Sequence, residues 1–538
     1  MKNKILNVAL FLSSFFSFGA EFYVAPNGND ANAGTIASPV ETIKRAQVLA
    51  SSGDTVYIRG GIYVMRENQI AQYSSIWAYV TKLDKSGITY MAYPNETPVF
   101  DYKNIKPANY RITAFYINGS NIRIKGIEVT GVQVTITTHT QSECFEIQGS
   151  NNILEQINMY DNMAIGVYIL RGSNNLILNC DAYRNWDSVS EGGVGGNVDG
   201  FGCHAPIGHK NNIFRGCRAW YNSDDGYDLI SSGEPVLLDN CWAFYNGYSF
   251  NTATNVVTSH GDGNGFKAGG YGSTTVDKLP NPVPRNTIQF CLAVGNKQSG
   301  FYSNHHLNGS NWYNNSAYRN KRNYNMLNRK AANTTDYLTD VPGWSHVMSN
   351  NLGYAATTAE LTDIDKAACT LTNNYFDLPL TINNSDFISL DETLLTAPRQ
   401  SDGSLPKNNF FRLQSSSDII DAGANIGFPF KGTAPDLGCF EFDSSLGLNE
   451  FKVNQGIFNY PNPFSTETNV VFYSDPTTKI AISLYSLSGM KVVEIPAKTY
   501  SKGENTIALK RDGLASGNYI LVIRDDDFQR NSKLITIQ

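Results

Sequence analysis

A short segment ending in asparagine recurs along the middle of the chain: Ile157 to Asn162, Cys180 to Asn185, Cys217 to Asn222, Cys241 to Asn246, Cys291 to Asn296 and Asn315 to Asn320. Four of the six carry Cys five residues before the Asn, and three gaps between terminal Asn residues are 23 or 24 residues. Units this small cannot bury a core alone, so they must stack as a solenoid around a shared apolar ladder. Within a unit apolar and polar residues alternate, as in Ile122-Arg123-Ile124-Lys125 and Leu176-Ile177-Leu178-Asn179, which is strand patterning. Short strands and Asn-rich turns at this period predict an all-β chain, a right-handed parallel β-helix with equivalent side chains about 4.8 Å apart.

A second register lies on the first. Asp199-Gly200-Phe201-Gly202, Asp225-Gly226-Tyr227-Asp228, Asn264-Gly265-Phe266-Lys267 and Ser299-Gly300-Phe301-Tyr302 all read X-Gly-aromatic-X, with Asp224 just ahead of the second. On a stacked scaffold this register brings Asp199, Asp224, Asp225, Asp228 and Lys267 to neighbouring rungs of one face. The period is interrupted at 186–198 and 247–263, directly before column residues of interest. Insertions in a solenoid emerge as loops on one face, so these two are expected to wall a cleft.

Residues 1–19 carry Lys2 and Lys4, an apolar run from Ile5 to Phe18 and then Gly19, the pattern of a secretory signal peptide. Its removal moves the formal charge from −6 to −8, because both lysines leave. A moderately acidic chain argues against nucleic acid as a partner, and a polyanion would need local cations to hold it. The eight Cys are too few for a disulfide scaffold, and four of them at one repeat position read as an inward stack of free thiols in preference to disulfides.

Three parts are expected: 1–19 as the signal peptide, 20–444 as the β-helix and 445–538 as a small C-terminal β-sandwich. The β-helix begins with a short amphipathic helix from Thr42 to Ala50 that would cap its open end. Its period weakens between 331 and 440, where strands and long loops are expected to continue. The last ninety residues show short alternating strands such as Ala481-Ile482-Ser483-Leu484-Tyr485, with turns at Ser488-Gly489 and Ser516-Gly517, which suits a sandwich.

Several carboxylates within about 5 Å of one another cost roughly 3 kcal/mol per pair at an effective dielectric near 20. A hard cation with oxygen ligands, calcium before magnesium, would relieve that repulsion. A lone Asp-Gly is ordinarily a turn former; four such carboxylates in register beside a lysine are not. A lysine near a divalent cation has its proton loosened enough to act as a base, and that pairing suits β-elimination from a uronate. A hydrolase with Asp199, Asp225 and Asp228 as its acid and base, or a noncatalytic surface protein holding calcium and glycan, also fits the carboxylates; neither gives Lys267 a task. His204, His305, His306, Arg218 and Arg319 are weaker candidates, since packing explains them as well.

Asp199-Gly200-Phe201, Ser223 to Leu229, Gly263 to Gly270 and Ser299 to His305 together resemble the family-nine polysaccharide lyases, pectate lyases and their relatives, over about 22–440. The resemblance implies a calcium site made by Asp199, Asp224, Asp225 and Asp228, with Lys267 abstracting the C5 proton of an acidic polysaccharide, a galacturonan. Pectate is the first expectation and rhamnogalacturonan the alternative. Tyr302-Ser303 departs from the family pattern, which bears on subsites more than on the chemistry. Asn459-Tyr460-Pro461-Asn462-Pro463-Phe464, Leu514 to Tyr519 and Lys533-Leu534-Ile535 resemble the C-terminal sorting domain of proteins exported by the type IX secretion system. The resemblance implies that machinery as a partner and a secreted or cell-surface location. A monomer is expected.

Overall fold

A computed structural model describes residues 19–442 apart from Ser273, and 458–537 apart from 461, 463, 475–478, 487–489, 502 and 525–529. Residues 1–18 of the expected signal peptide lie outside the described residues. The chain divides into two compact units at Asp443 and Ser444.

The first unit is a right-handed parallel β-helix. Each turn of the coil contributes one short strand to each of three sheets of 12, 10 and 11 strands. Leu176–Leu178, Asp181–Tyr183 and Phe201–Cys203 make one turn, and Asn212–Arg215, Arg218–Trp220 and Tyr227–Asp228 make the next. Side chains alternate between the interior and the outer face. Ile177, Phe214, Leu238, Ile288 and Trp312 stack along the first sheet. Ala182, Ala219, Ala243, Ala293 and Ala317 stack along the second. The aromatic of each X-Gly-aromatic-X segment forms the third ladder, in which Phe201, Tyr227, Phe266, Phe301 and Tyr324 stack with ring centroids 4.8 to 5.1 Å apart. Large rings on one wall and alanines on another let the coil close at interior packing density.

Strands of the second sheet end at a single residue in the left-handed region. Arg184, Tyr221, Tyr245 and Arg319, each immediately before a repeat Asn, have φ between 52° and 55°, a conformation that costs a non-glycine residue about 1–2 kcal/mol. The following asparagines offset this cost by running down the coil as a buried amide ladder. Asn162 N donates to Asn185 Oδ1 at 3.1 Å, Asn222 N to Asn246 Oδ1 at 3.3 Å and Asn246 N to Asn296 Oδ1 at 3.1 Å. Cys180, Cys217, Cys241 and Cys291 are buried free thiols, and Cys217 Sγ donates to Ile177 O at 3.4 Å. The preferred reading of the cysteines therefore stands.

The helix Ile43–Leu49 is N-capped by Thr42, whose hydroxyl accepts from Arg45 N at 3.1 Å, and its buried Ile43 and Ala46 join the core of the first turns. At the other end strands and long loops continue as expected, but the strands stop well short of residue 440. The last strand of the coil is Thr370–Thr372, and 373–442 runs back as a strap of turns and short 3-10 helices over the outer face of the second sheet. Phe387, Leu395, Phe410, Phe411 and Leu437 of the strap pack on Trp220, Trp242, Phe244, Leu292 and Leu352. The strap has no period because its residues follow the outer face of the coil and form no rungs of their own.

The second unit is a small β-sandwich of a three-stranded and a four-stranded antiparallel sheet among the described residues. Val470, Phe472, Ile482, Leu484, Leu521 and Ile535 are buried in its core.

Candidate active site

Each strand of the 11-stranded sheet places two outward columns on either side of its core-facing residues. One column runs Tyr116, Glu146, Tyr168, Gly202, Asp228, Lys267, Tyr302, Asn325. The other contains Asp199, Asp225, Asn264 and Ser299, and it is a second hydrogen-bond ladder. Asp225 N donates to Asp199 Oδ1 at 3.1 Å, Asn264 N to Asp225 Oδ1 at 2.6 Å and Ser299 N to Asn264 Oδ1 at 3.1 Å. Each carboxylate thus spends one oxygen on the next rung's backbone.

One carboxylate oxygen from each of Asp199, Asp224 and Asp225 lies within 4.8 Å of the other two, and all three residues are buried. A cation with oxygen ligands at about 2.3–2.6 Å bridges oxygens up to about 5 Å apart, so this all-oxygen donor set fits calcium. Asp225 Oδ2 is buried without a hydrogen bond of good geometry; its contact is Lys267 Nζ at 3.0 Å. Lys267 Nζ also meets Asp228 Oδ2 at 3.1 Å, while Asp228 Oδ1 accepts from Ile230 N at 2.7 Å. Asp228 stands outside the group of three and joins it through the lysine.

Burial, then repulsion among the neighbouring carboxylates, pushes Asp199 and Asp224 well above the usual carboxylate range. Burial raises Asp225 as well, against the pull of Lys267. For Lys267 burial pulls the other way, but Asp225, Asp228, Asp224 and Asp199 outweigh it and hold the ammonium well above its ordinary value. With side chains alone the amine keeps its proton. Positive charge added among the carboxylates weakens that hold.

The two insertions meet beside this cluster. Residues 247–263 form the hairpin Tyr248–Asn251 with Val256–Ser259, and 186–198 folds against it through a stack of Trp186 on His260 at 4.5 Å and a Gly261 N to Val194 O bond of 2.9 Å. Val194, Gly196, His260, Gly261 and Asp262 line a recess that opens on Asp224, and Asp262 N donates to Asp224 Oδ1 at 2.7 Å. The glycines are needed where these segments touch: Gly263 has φ 77°, and a Cβ there would meet Gly247 Cα at 2.5 Å.

The weaker candidates scatter. His306 is buried, with Nδ1 accepting from Gly270 N at 3.1 Å and Nε2 facing Pro284 O at 2.8 Å. His305 pairs with Asp340 at 2.7 Å and Arg319 with Glu392 at 2.6 Å. Arg218 grips Asp181 through Nη2 at 2.8 Å, beneath the strap. His204 is nearer the cluster, with Nδ1 3.0 Å from Tyr168 Oη. Sequence reasoning put Asn264 in register with Asp199, Asp225 and Ser299 but did not give the hydrogen bonds that join them, and it missed Tyr168 as a column neighbour.

The model of the Pel9A-like, right handed beta helix region matches residues 22–335, and that of the secretion system C-terminal sorting domain matches 459–538. Pectate lyase L of Dickeya dadantii is 32% identical over 437 residues, covering 80% of this chain and 92% of that one. Pectate lyase L of Paenibacillus polymyxa is 30% identical over 428 residues, covering 76% and 84%. Among solved structures, a rhamnogalacturonan lyase superposes with a TM-score of 0.70 at 44% identity, covering 74% of this chain and 97% of that one. The pectate lyase Pel9A superposes with a TM-score of 0.63 at 31% identity, covering 80% and 98%.

Proposed function

From the premise that this chain belongs to the Pel9A-like right-handed β-helix family, we propose that it cleaves a galacturonate-containing polymer by β-elimination, with Lys267 as the base. The chain is a secreted or cell-surface polysaccharide lyase; the polymer, the base and the metal are the proposal. The observation that carries it is the position of Lys267 Nζ, 3.0 Å from Asp225 and 3.1 Å from Asp228 on the rim of the three converging carboxylates.

Asp199, Asp224 and Asp225 would hold calcium, with Asp228 completing the acidic cradle beside the lysine. Bound there, calcium supplies a partner for the uronate carboxylate, raises the acidity of the adjacent C5 proton and offsets the negative charge that keeps Lys267 protonated. Lys267 takes the C5 proton, the electron pair forms the C4–C5 double bond, and the C4–O bond breaks with its oxygen protonated from water. Asp228 fixes the amine above the sugar ring, and the walls at 186–198 and 247–263 flank the cluster. The low exposure of the Lys267 side chain, 12%, lets these charges act at less than bulk dielectric.

Two polymers are in contention. The relatives named pectate lyase support polygalacturonate. The higher identity of the rhamnogalacturonan lyase, 44% against 31% for Pel9A, favours a rhamnogalacturonan backbone. Ultraviolet absorbance of the unsaturated product, followed on both polymers with calcium and with a chelator, separates these readings. Absorbance is expected on at least one polymer, and Lys267→Ala should lower it by at least about a thousandfold while leaving calcium binding in place. A fully active Lys267→Ala protein, or reducing ends released without absorbance, overturns the elimination reading.

A further inference from the structure

On the outer face of the 11-stranded sheet, the rungs before Lys267 and the rungs after it carry different charge. Before it lie Asp228, Asp225 and Asp199. After it the register sets Lys267 against Tyr302, then Ser299 against Arg322 and Tyr302 against Asn325. One step on, the outward residues are therefore Ser299 and Tyr302, both uncharged. Two steps on, about 9.6 Å at about 4.8 Å each, they are Arg322 and Asn325. The two outward columns are close enough for Asp225 of one to touch Lys267 of the other at 3.0 Å, so a ligand lying along the sheet meets both.

Arg322 is turned out of the coil, because Asn323 after it accepts from Asn320 N in the amide ladder and Tyr324 stacks inside on Phe301 at 5.0 Å. It is half-buried, and among the described residues no carboxylate pairs with it. Nearby Arg319, Arg329 and Lys330 hold Glu392, Asp340 and Asp336 respectively. A free guanidinium presents a planar fork of N–H donors that fits a carboxylate through two parallel bonds. The rung between offers no such partner. Burial, and after it Asp340, Asp262 and Asp225 against the pull of Lys267, push the Tyr302 hydroxyl up to about 12, and surroundings of that kind also disfavour a carboxylate.

We propose that Arg322 binds a uronate carboxylate two sugar units from the one that reacts at Lys267, with a neutral sugar seated between them at Ser299 and Tyr302. The inference rests on the elimination site being at Lys267 and deepens that reading by naming the repeat: uronate, neutral sugar, uronate. A linked pyranose advances by close to one inter-strand step, so alternate rings of the polymer fall on alternate rungs. A chain with uronate at every unit would set a carboxylate against Ser299 and Tyr302 with no cation to meet it.

Arg322→Gln and Arg322→Lys test this, with absorbance followed on three substrates: a rhamnogalacturonan whose backbone alternates galacturonate with rhamnose, polygalacturonate, and an oligosaccharide of the first too short to reach from Lys267 to Arg322. Wild type is expected to show a kcat/KM on the alternating polymer at least about tenfold above that on polygalacturonate. Arg322→Gln should raise KM on the alternating polymer about tenfold, with kcat kept and the short substrate unaffected, and Arg322→Lys should recover most of the loss. Parity between the polymers, a preference for polygalacturonate, an unchanged KM in Arg322→Gln, or equal losses on long and short substrates each overturn the subsite. Arg322→Met carries the test if Arg322→Gln fails to fold, as judged by its thermal unfolding. Retardation in gels cast with the alternating polymer and calcium reads binding without turnover. Wild type retarded more than Arg322→Gln, with no cleavage by either, keeps the subsite and sinks the elimination chemistry; equal retardation sinks the subsite.

Discussion

Asp199 has two jobs: its Oδ1 receives the amide of Asp225, and one of its carboxylate oxygens belongs to the group of three that converge. Asparagine keeps the first job and loses the negative charge needed for the second. Asp199→Asn is therefore expected to fold, to unfold in chelator at a temperature no lower than wild type, and to lose most of the calcium-induced rise in unfolding temperature. Differential scanning fluorimetry with and without calcium reads this, and an undiminished rise would remove Asp199 from the metal site. His306 and His346 set a separate, pH-linked behaviour. Burial pushes each down to about 4, because each ring must stay neutral to accept one backbone amide while facing a carbonyl. In the unfolded chain both titrate near 6.5. Between about 6.5 and 4 the unfolded state binds protons that the folded state refuses, so stability is full above pH 6.5 and falls as pH drops through this window. Urea unfolding at pH 7 and pH 4.5 should show the loss, and His306→Gln should flatten it.

The strap 373–442 is held to the coil by one buried charge cluster as well as by its apolar residues. Arg399 Nη2 reaches Asp181 Oδ1 at 2.6 Å, on the carboxylate that Arg218 also grips. Burial raises the Asp181 pKa, but the two guanidinium groups outweigh it and hold the carboxyl below its ordinary range. Removing Arg399 leaves the Asp181–Arg218 pair balanced but strips hydrogen bonds from Asp181 and from the carbonyls of Cys180, Gly216 and Gly403, so Arg399→Ala should cost about 1–3 kcal/mol and expose the strap to protease while sparing turnover at permissive temperature. Limited proteolysis with an activity assay checks both. The repeat made the coil and its chemistry readable: Ala182, Ala219 and Ala243 recur because one wall admits only small residues, and Phe201, Tyr227 and Phe266 recur because they are one stack. Register alone then placed Asp228 beside Lys267. The strap was not readable, since its residues answer to rungs far away in sequence.

Each of the two units has its own core, and every residue placed at the candidate site belongs to the first. A chain ending at residue 443 should retain kcat/KM within about twofold and lose delivery through the secretion system that its sorting domain addresses. Assays of the purified truncated protein and fractionation of the producing cells separate the two effects. Within the first unit, the ladder that carries Asp225 and Asn264 uses a single side-chain oxygen per rung to hold up the backbone, and an amide serves that purpose as well as an acid. A lineage built on this coil can gain or surrender its reactivity by exchanging nitrogen for oxygen at a few rungs. Stable but inert cousins should therefore lie only a handful of substitutions from active ones.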